Sequence, residues 1–201
     1  MGKKNKSHRV DRRNLIKVFV FAGATALSSG AFVYGMVQNG NGAVELYNKL
    51  IATDKAGGDV TTALNELRSY IYSHMNTEIG GPNGIYPPIQ LQGTYDRLVT
   101  AEQNRVKEIN DNLYSEAQSF CEVNGNQGYS GRNRIDCINE YIDNHGAKEQ
   151  TIDDSFYKYD FVSPRWSPDL AGYSLIAVII FSLITLFHLL AYLRTKYFVN
   201  F

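Results

Sequence analysis

Two long apolar runs lie on either side of a polar, amphipathic middle segment in this chain of 201 residues. The later run, Ala171 to Leu193, has 23 residues without an Asp, Glu, Lys or Arg, and the earlier one, Val18 to Val37, has 20. A helix needs about 20 apolar residues to cross a hydrocarbon core of about 30 Å. The pattern therefore predicts two transmembrane helices, over residues 18–37 and 170–193.

The first run can also be interpreted as a cleaved signal peptide, because Ser29-Gly30-Ala31 resembles a small-residue cleavage site. Its length, and the apolar residues that continue to Val37, favour an uncleaved anchor. Ala22, Ala26 and Gly30 recur at every fourth position, a spacing that lets helix backbones approach closely in lipid. We expect this stripe to pack against the bulkier second span or against a second copy of the chain.

Between the runs, four segments place apolar residues at spacings of three and four, which is typical of amphipathic helices. We predict helices over residues 43–56, 59–79, 94–123 and 134–145. Asp59 is expected to cap the second helix. The connecting segments contain Gly, Asn or Pro and comprise a polar hinge at 38–42, a Gly57-Gly58 stop, and loops at 80–93 and 124–133. An aromatic, irregular segment, 153–168, is expected to return the chain to the second span in an extended conformation.

The two cysteines, Cys121 and Cys137, fall near the end of the third predicted helix and near the start of the fourth. These positions are level in an antiparallel hairpin, so we predict a disulfide; free buried thiols are the alternative. An even number of cysteines in this segment suits an oxidising compartment. The predicted fold is all-α, with two transmembrane helices flanking an up-down bundle of about four helices.

Charge is distributed unevenly along the chain. Residues 1–17 carry seven Lys or Arg and one Asp, residues 38–169 carry 11 Lys or Arg and 19 Asp or Glu, and Arg194 and Lys196 follow the second run. Because cytoplasmic flanks are enriched in Lys and Arg, we predict cytoplasmic tails at 1–17, which is expected to be disordered, and at 194–201. Residues 38–169 then form an extracytoplasmic domain of a multi-pass plasma-membrane protein. The domain has no Asn-x-Ser/Thr acceptor, which suits a bacterial envelope.

The histidines are the first candidates for chemistry. His74 has no His, Cys or carboxylate neighbours at ligand spacing, so a structural role is favoured over metal or haem ligation. His145 precedes Gly146 at a helix end, where a cation suits the helix dipole. His188 is an ionisable residue inside a span and is a functional candidate for that reason. Neither span offers it a carboxylate or Lys partner.

Motifs for catalysis are missing from the sequence. Asp153-Asp154 is not surrounded by a calcium-binding loop pattern, and there is no nucleophile elbow, phosphate loop or HExxH. The basic tail lacks the aromatic interleaving that nucleic-acid binding favours. We therefore predict a protein that is not an enzyme, with no cofactor, no metal site and no nucleic-acid partner.

Tyrosines flanked by Gly, Asn, Ser or Pro indicate an adaptable recognition surface. Tyr86 precedes Pro87 and Pro88 in one loop, and Tyr129 lies in the 124–133 loop. We predict an interaction surface at these four residues.

With helices and spans placed, the layout from Val18 to Leu193 resembles bacterial two-pass receptors that carry an extracytoplasmic four-helix-bundle sensor domain. Those receptors continue into a long cytoplasmic output domain, whereas eight residues follow Leu193 here. Gln90-Leu91-Gln92 and Glu102-Gln103-Asn104-Arg105, at the opening of the third helix, are similar to LemA-type helical membrane proteins. That family has one N-terminal anchor instead of two spans. Neither resemblance implies particular functional residues.

The leading hypothesis is a two-pass envelope protein that presents a helical domain for protein interaction or assembly. Its expected partners are the lipid bilayer and a membrane or envelope protein or a second copy of the chain. One alternative is a ligand-sensing module that uses a pocket near the 80–93 loop and signals through a separate protein. Another is a small pore or transport subunit with Ser28, Ser29, Ser182 and His188 along one lumen.

Overall fold

The computed structural model describes the backbone of residues 2–80, 84–123 and 132–198, and side chains within 12–80, 84–122 and 134–197. The chain is mostly helical, as predicted. Its elements are α1 (Gly2–Lys55), α2 (Val60–Ser73), β1 (Ile89–Gln90), α3 (Gln92–Val123), α4 (Arg132–His145), a 3₁₀ helix (Asp154–Phe156), β2 (Lys158–Tyr159) and α5 (Leu170–Phe198). The short antiparallel ladder of β1 and β2, in which Ile89 faces Tyr159, was not expected.

Two segments are long and apolar enough to cross a membrane, Arg12–Lys55 of α1 and Leu170–Tyr197 of α5. Of their most apolar windows, 0% and 6% of residues are buried inside the protein. The core helix of a soluble protein would be covered by its neighbours. These exposed apolar helices are therefore compatible with membrane association.

The predictions of a disordered tail and of a hinge at 38–42 are wrong. α1 runs without interruption over 54 residues, which is about 80 Å at 1.5 Å per residue. The glycines of the expected hinge serve packing instead of bending. A Cβ added at Gly42 would stand 2.2 Å from the hydroxyl oxygen of Tyr70 in α2, so glycine leaves room for the Tyr70 phenol against α1.

α2 runs antiparallel to the later part of α1. Along the pair, Lys49 forms an ion pair with Glu66 at 2.5 Å, and Gly42 lies against Tyr70. Leu50 of α1 and Leu67 and Ile71 of α2 are almost fully buried. All three were predicted to lie on the apolar faces of these helices, whereas Val44, predicted on the same face as Leu50, is 51% exposed.

The predicted cap at Asp59 is confirmed, since its carboxylate accepts a hydrogen bond from the Thr62 N–H at 3.0 Å. The predicted end of α2 near Ile79 is wrong, because the helix stops at Ser73. Asn76 has φ of 60°, a left-handed conformation that Asn tolerates better than most residues. The buried Thr77 hydroxyl donates to the carbonyl of His74 at 3.0 Å, which satisfies an acceptor that the ended helix leaves free.

α3 and α4 form the predicted antiparallel hairpin, and the predicted Cys121–Cys137 disulfide is confirmed, with the Cα atoms 6.1 Å apart. Around it, Ala117 and Ile138 form a small buried core. At the other end of the hairpin, Asn110 and Ala147 exchange two hydrogen bonds of 3.0 Å. The level positions that the sequence indicated for the two cysteines follow from this pairing.

The N-terminus of α3 is held by a buried carboxylate that the sequence pattern did not single out. Asp54, 1% exposed, accepts hydrogen bonds from the Gly93 N–H at 2.7 Å and the Thr94 hydroxyl at 2.6 Å. Arg97 pairs with it at 2.9 Å. The last turn of α1 therefore caps α3, and the charge is paired as a buried charge must be.

The chain divides into two compact units. The first comprises Met1–Ile51, Asp59–Pro88 and Asp160–Phe201, and the second comprises Ala52–Gly58 and Ile89–Tyr159. α1 as far as Ile51, α2 and α5 belong to the first unit, and the last turn of α1 and the hairpin of α3 and α4 belong to the second. A single bundle of four helices remains a prediction.

The small-residue stripe does not contact the second span. Ala22, Ala26 and Gly30 are exposed, and no heavy atom lies within 4 Å of a Cβ added at Gly30. α5 instead runs antiparallel along the adjacent face of α1. There Phe21 lies 6.3 Å from Phe181 between ring centroids, and a Cβ at Gly35 would stand 2.7 Å from the Ala171 backbone nitrogen. Packing of the stripe against a second copy stays a prediction.

We expect Gly35→Ala to destabilise the helix pair, because the added methyl would overlap the Ala171 backbone. Gly30→Ala is the matched control in the same helix: its methyl meets open space and removes a glycine from a helix interior, which favours the helix slightly. Thermal unfolding of both variants in detergent micelles checks this. Equal melting temperatures for the two variants would show that the close approach at Gly35 does not hold the helices together.

Candidate functional site

A cluster of polar groups joins α1, the end of α2 and the start of α5. We call its four residues, Asn39, Met75, Ser167 and Asp169, the polar junction. Asn39 and Ser167 are 6% and 1% exposed, although both have polar side chains. Polar groups so thoroughly removed from water need hydrogen-bond partners.

The partners form a closed network. The Asn39 amide donates to the Met75 carbonyl at 3.1 Å and to the Asp169 carboxylate at 2.7 Å. The Ser167 hydroxyl accepts from the Met75 N–H at 3.0 Å and donates to the same carboxylate oxygen at 2.8 Å. Three chain segments far apart in sequence are therefore tied together by four hydrogen bonds.

Asp169 also caps α5. Its second carboxylate oxygen accepts from the Gly172 N–H at 2.9 Å, and its backbone carbonyl accepts from the Tyr173 N–H at 3.0 Å. An acidic residue is favourable at this end of a helix, where amide N–H groups are unpaired. Position 172 has no room for a side chain, because a Cβ there would lie 1.7 Å from the Ser167 carbonyl oxygen.

A further contact fixes the end of α2 to α1 at the same level. The Asn76 amide donates to the Met36 carbonyl at 3.1 Å, one turn before Asn39. The predicted first span, 18–37, ends here. The polar junction thus lies where both apolar helices meet the polar part of the first unit.

The electrostatics favour an ionised Asp169. Burial raises the pKa of this carboxyl, but hydrogen bonds from Gly172, Ser167 and Asn39 and the nearby His74 outweigh burial and hold its pKa below the ordinary value of 3.8. For Tyr70, burial comes first and the charges of Asp169 and Glu45 second, and all three raise the pKa of the phenol. Asp169 is therefore a carboxylate, and Tyr70 a neutral phenol, at neutral pH.

The chemistry of this arrangement is positioning. One carboxylate oxygen of Asp169 accepts from Asn39 and Ser167, and the other accepts from the Gly172 N–H. Each of these acceptors is used to hold a backbone segment in place. The network can hold the part of α1 that follows the first apolar run beside the start of α5.

The histidines take the positions of structural residues. His74 stacks on Tyr70 at 4.1 Å between ring centroids, and its Nδ1 lies 3.0 Å from the Tyr70 carbonyl oxygen. His145 repeats this arrangement with Tyr141, at 4.1 Å and 3.0 Å. Both rings cover the last turn of a helix. In the described part of the chain, no group of three or more His, Cys, Asp or Glu residues could hold a metal ion.

His188 packs between the apolar helices. Its ring stacks on Phe21 at 5.8 Å between centroids and meets Phe187 edge-on at 5.4 Å. Its Nδ1 is buried and has no hydrogen-bond partner among the described residues. The ring therefore faces the other helix, where its contacts are aromatic.

The predicted interaction surface is only partly described. Tyr86 is 80% exposed, and the two prolines after it are half-buried. The Tyr86–Pro87 peptide bond is cis. Tyr129 lies outside the described residues. Asp153 accepts from the Ser155 N–H at 2.8 Å and caps the 3₁₀ helix, and Asp154 accepts from the Tyr157 hydroxyl at 2.7 Å.

Comparison of the chain with protein-family models, with curated proteins and with solved structures finds no match. The function therefore has to be inferred from the residues themselves.

Sequence reasoning missed the polar junction. Asp169 carries a recognisable signal, since an Asp directly before a long apolar run is a helix N-cap candidate. Asn39 has no such signal in the sequence, because it lies in a Gly- and Asn-rich segment whose local pattern predicts a hinge. The partner that explains it lies 130 residues away.

We expect Asp169→Ala to lower the free energy of unfolding by about 2 kcal/mol, because it removes a helix cap and leaves two buried donors without their acceptor. Asp59→Ala is the matched control, since Asp59 caps α2 in the same unit without touching the junction. Thermal or denaturant unfolding in detergent micelles measures both. If the two variants lose the same stability, the junction adds nothing beyond the cap.

Acid should weaken the junction in a defined direction. Because the folded pKa of Asp169 lies below 3.8, its contribution is complete above pH 3.8 and disappears as the pH falls through the lower, folded value. We therefore expect the melting temperature of the wild type to fall more steeply below pH 3.8 than that of Asp169→Asn, whose side chain does not titrate. Parallel acid profiles for the two proteins would contradict this assignment.

Proposed function

We propose that the protein is a two-pass, non-catalytic membrane protein of the cell envelope that presents its central domain, residues 38–169, outside the cytoplasm for interaction or assembly with other proteins. The observation that carries the proposal is the polar junction. α1 leads from the first apolar run directly into the domain as one helix, and the junction ties the start of the second apolar helix to the same place. A domain held in this way at both ends is suited to presenting a surface at a fixed position.

The orientation is supported by the charge pattern. The basic residues before Val18 and after Leu193 favour the cytoplasmic side of the membrane. The middle segment has no excess of Lys and Arg, since it carries 11 of them against 19 Asp or Glu. The antiparallel packing of α1 and α5 supports the same layout, because a chain that crosses twice returns in the opposite direction. The Cys121–Cys137 disulfide suits an oxidising compartment for the domain.

The geometry gives less support to the two other hypotheses. A ligand sensor needs an enclosed apolar pocket with a few polar groups. The hollow of about 240 Å³ at the 80–93 loop, where the sensor pocket is expected, is lined by side chains that are themselves largely exposed, Ile85, Tyr86 and Val162. The groove of about 640 Å³ beside α2 is open to solvent and lined by polar residues such as Thr62 and Glu66. A pore needs polar groups facing a lumen, but the Ser29 hydroxyl donates to the Thr25 carbonyl of its own helix, and His188 stacks on Phe21.

Cysteine labelling in intact cells tests the orientation. The native cysteines are joined to each other, so single cysteines can be introduced at Ser7, in the N-terminal tail, and at Thr61, an exposed position in the first turn of α2. We expect a membrane-impermeant maleimide to label Thr61→Cys in intact cells and to label Ser7→Cys only after permeabilisation. Labelling of Ser7→Cys from outside would overturn the proposed arrangement.

The interaction role needs its own measurement. Cross-linking in the native membrane followed by purification of the intact chain should recover it in a complex of fixed stoichiometry, with a second protein or with copies of itself. Recovery of the chain as a monomer under conditions that preserve other membrane complexes would leave the two-pass layout standing and refute the assembly role.

A further inference from the structure

Three large apolar side chains are unusually exposed outside the two long helices. Ile85, Tyr86 and Val162 are 74%, 80% and 74% exposed. They come from two stretches of chain, one before β1 and one after β2. With Pro88 and Phe161 they line one hollow of about 240 Å³. We call Ile85, Tyr86 and Val162 the apolar loop patch.

The chain on both sides of the patch is tied to the level at which the apolar helices end. Before it, Asn76 is bonded to the Met36 carbonyl at 3.1 Å, in the last turn of the first apolar run. In the other stretch, Phe161, the neighbour of Val162, meets Tyr72 near the end of α2, with ring centroids 5.9 Å apart. The same stretch then enters the polar junction at Ser167. All of these residues belong to the first unit.

Interfacial aromatics are found at this end of α5 as well. Trp166 is 44% exposed and Tyr173 60% exposed, and their rings meet edge-on at 6.1 Å between centroids. Trp and Tyr are enriched where transmembrane helices pass through the headgroup layer, because their rings have an apolar body and a polar group. Tyr86 has the same amphipathic character, and the other two members of the apolar loop patch, Ile85 and Val162, are aliphatic.

We propose that the apolar loop patch inserts into the interfacial layer of the leaflet in which α5 begins, so that the domain rests on the membrane as well as being anchored in it. This inference rests on the two-pass arrangement proposed above. Lipid is the occupant that fits, because the patch is connected on both sides to the points where the chain leaves and enters the bilayer. No second component has to be recruited.

The charges beside the patch specify the kind of lipid surface. Glu78 and Asp160 line the same hollow, and neither would be attracted to an anionic headgroup. Insertion should therefore depend on apolar contact and take place on a zwitterionic surface. Phosphatidylcholine alone should be sufficient.

Fluorescence quenching by brominated lipid measures the depth of the patch. The chain has one tryptophan, Trp166, so Tyr86→Trp combined with Trp166→Phe places a single reporter at the patch. The substitution is at an exposed position and leaves the core untouched. In phosphatidylcholine vesicles brominated close to the headgroup, we expect this reporter to lose about half its emission or more, as an interfacial aromatic would. Vesicles brominated deep in the acyl chains should quench it less.

Thr61→Trp combined with Trp166→Phe is the matched control. Thr61 is exposed and belongs to the same unit, but it precedes Ser73, the last residue of α2, by 12 residues, about 18 Å at 1.5 Å per residue. We expect neither brominated lipid to quench it. Equal quenching at positions 61 and 86 would overturn the proposal, because the signal would not then report insertion of the patch.

Wild-type Trp166 separates failure of this inference from failure of the two-pass arrangement. Quenching of Trp166 with none at position 86 refutes insertion of the patch and leaves the arrangement standing. Absence of quenching at both positions refutes both. A shielded reporter at position 86 that bromine does not reach would mean that a protein surface or a second copy covers the patch, which also overturns the lipid assignment.

Discussion

The side-chain amide of Asn39 lies between the carbonyl of Met75 and the carboxylate of Asp169, inside a part of the protein where water does not reach it. A buried amide that loses either acceptor costs roughly 1–3 kcal/mol. The three segments that supply these groups must therefore arrive together, and the elements around them are arranged accordingly. α2 has to end at Ser73 for the Met75 backbone to turn inwards, and α5 has to begin at Leu170 for Asp169 to stand as its cap.

The constraint affects a long part of the chain because Asn39 lies within the uninterrupted helix α1. This helix extends from the apolar run on one side to Leu50 and Asp54 on the other. On either side of Asn39, Gly35 lets the backbone of α5 approach that helix and Gly42 leaves room for the Tyr70 phenol of α2. Rigid backbone and close packing therefore coincide at the point where the buried hydrogen bonds are made. A flexible hinge there would have left the Asn39 amide free to exchange its partners for water.

The sequence predicted those features that depend on local pattern. The apolar runs, the helical character of the middle segments, the Asp59 cap and the level positions of Cys121 and Cys137 all follow from spacing within about two helix lengths. The predicted apolar faces are buried only in part, since Val44 and Ile135 are 51% and 58% exposed. The errors arise where tertiary contacts decide. Gly42 reads as a breaker, but Tyr70 makes it a packing position. The stripe at Ala22, Ala26 and Gly30 was expected to meet the second span or a second copy. α5 lies on the neighbouring face with Phe21 and Gly35, so packing against a second copy stays a prediction.

The candidate site was beyond local pattern for the same reason. Asp169 could be recognised as a cap from the sequence around it, but its second role depends on Asn39, 130 residues earlier. One carboxylate therefore both caps α5 and accepts a hydrogen bond from Asn39. A change that withdraws Asp169 from Asn39 also disturbs the first turn of α5, and a change in α5 is felt at once by the end of α2 through Ser167 and Met75. In the proposed arrangement, a force that a partner exerts on the domain is therefore transmitted to both membrane helices together.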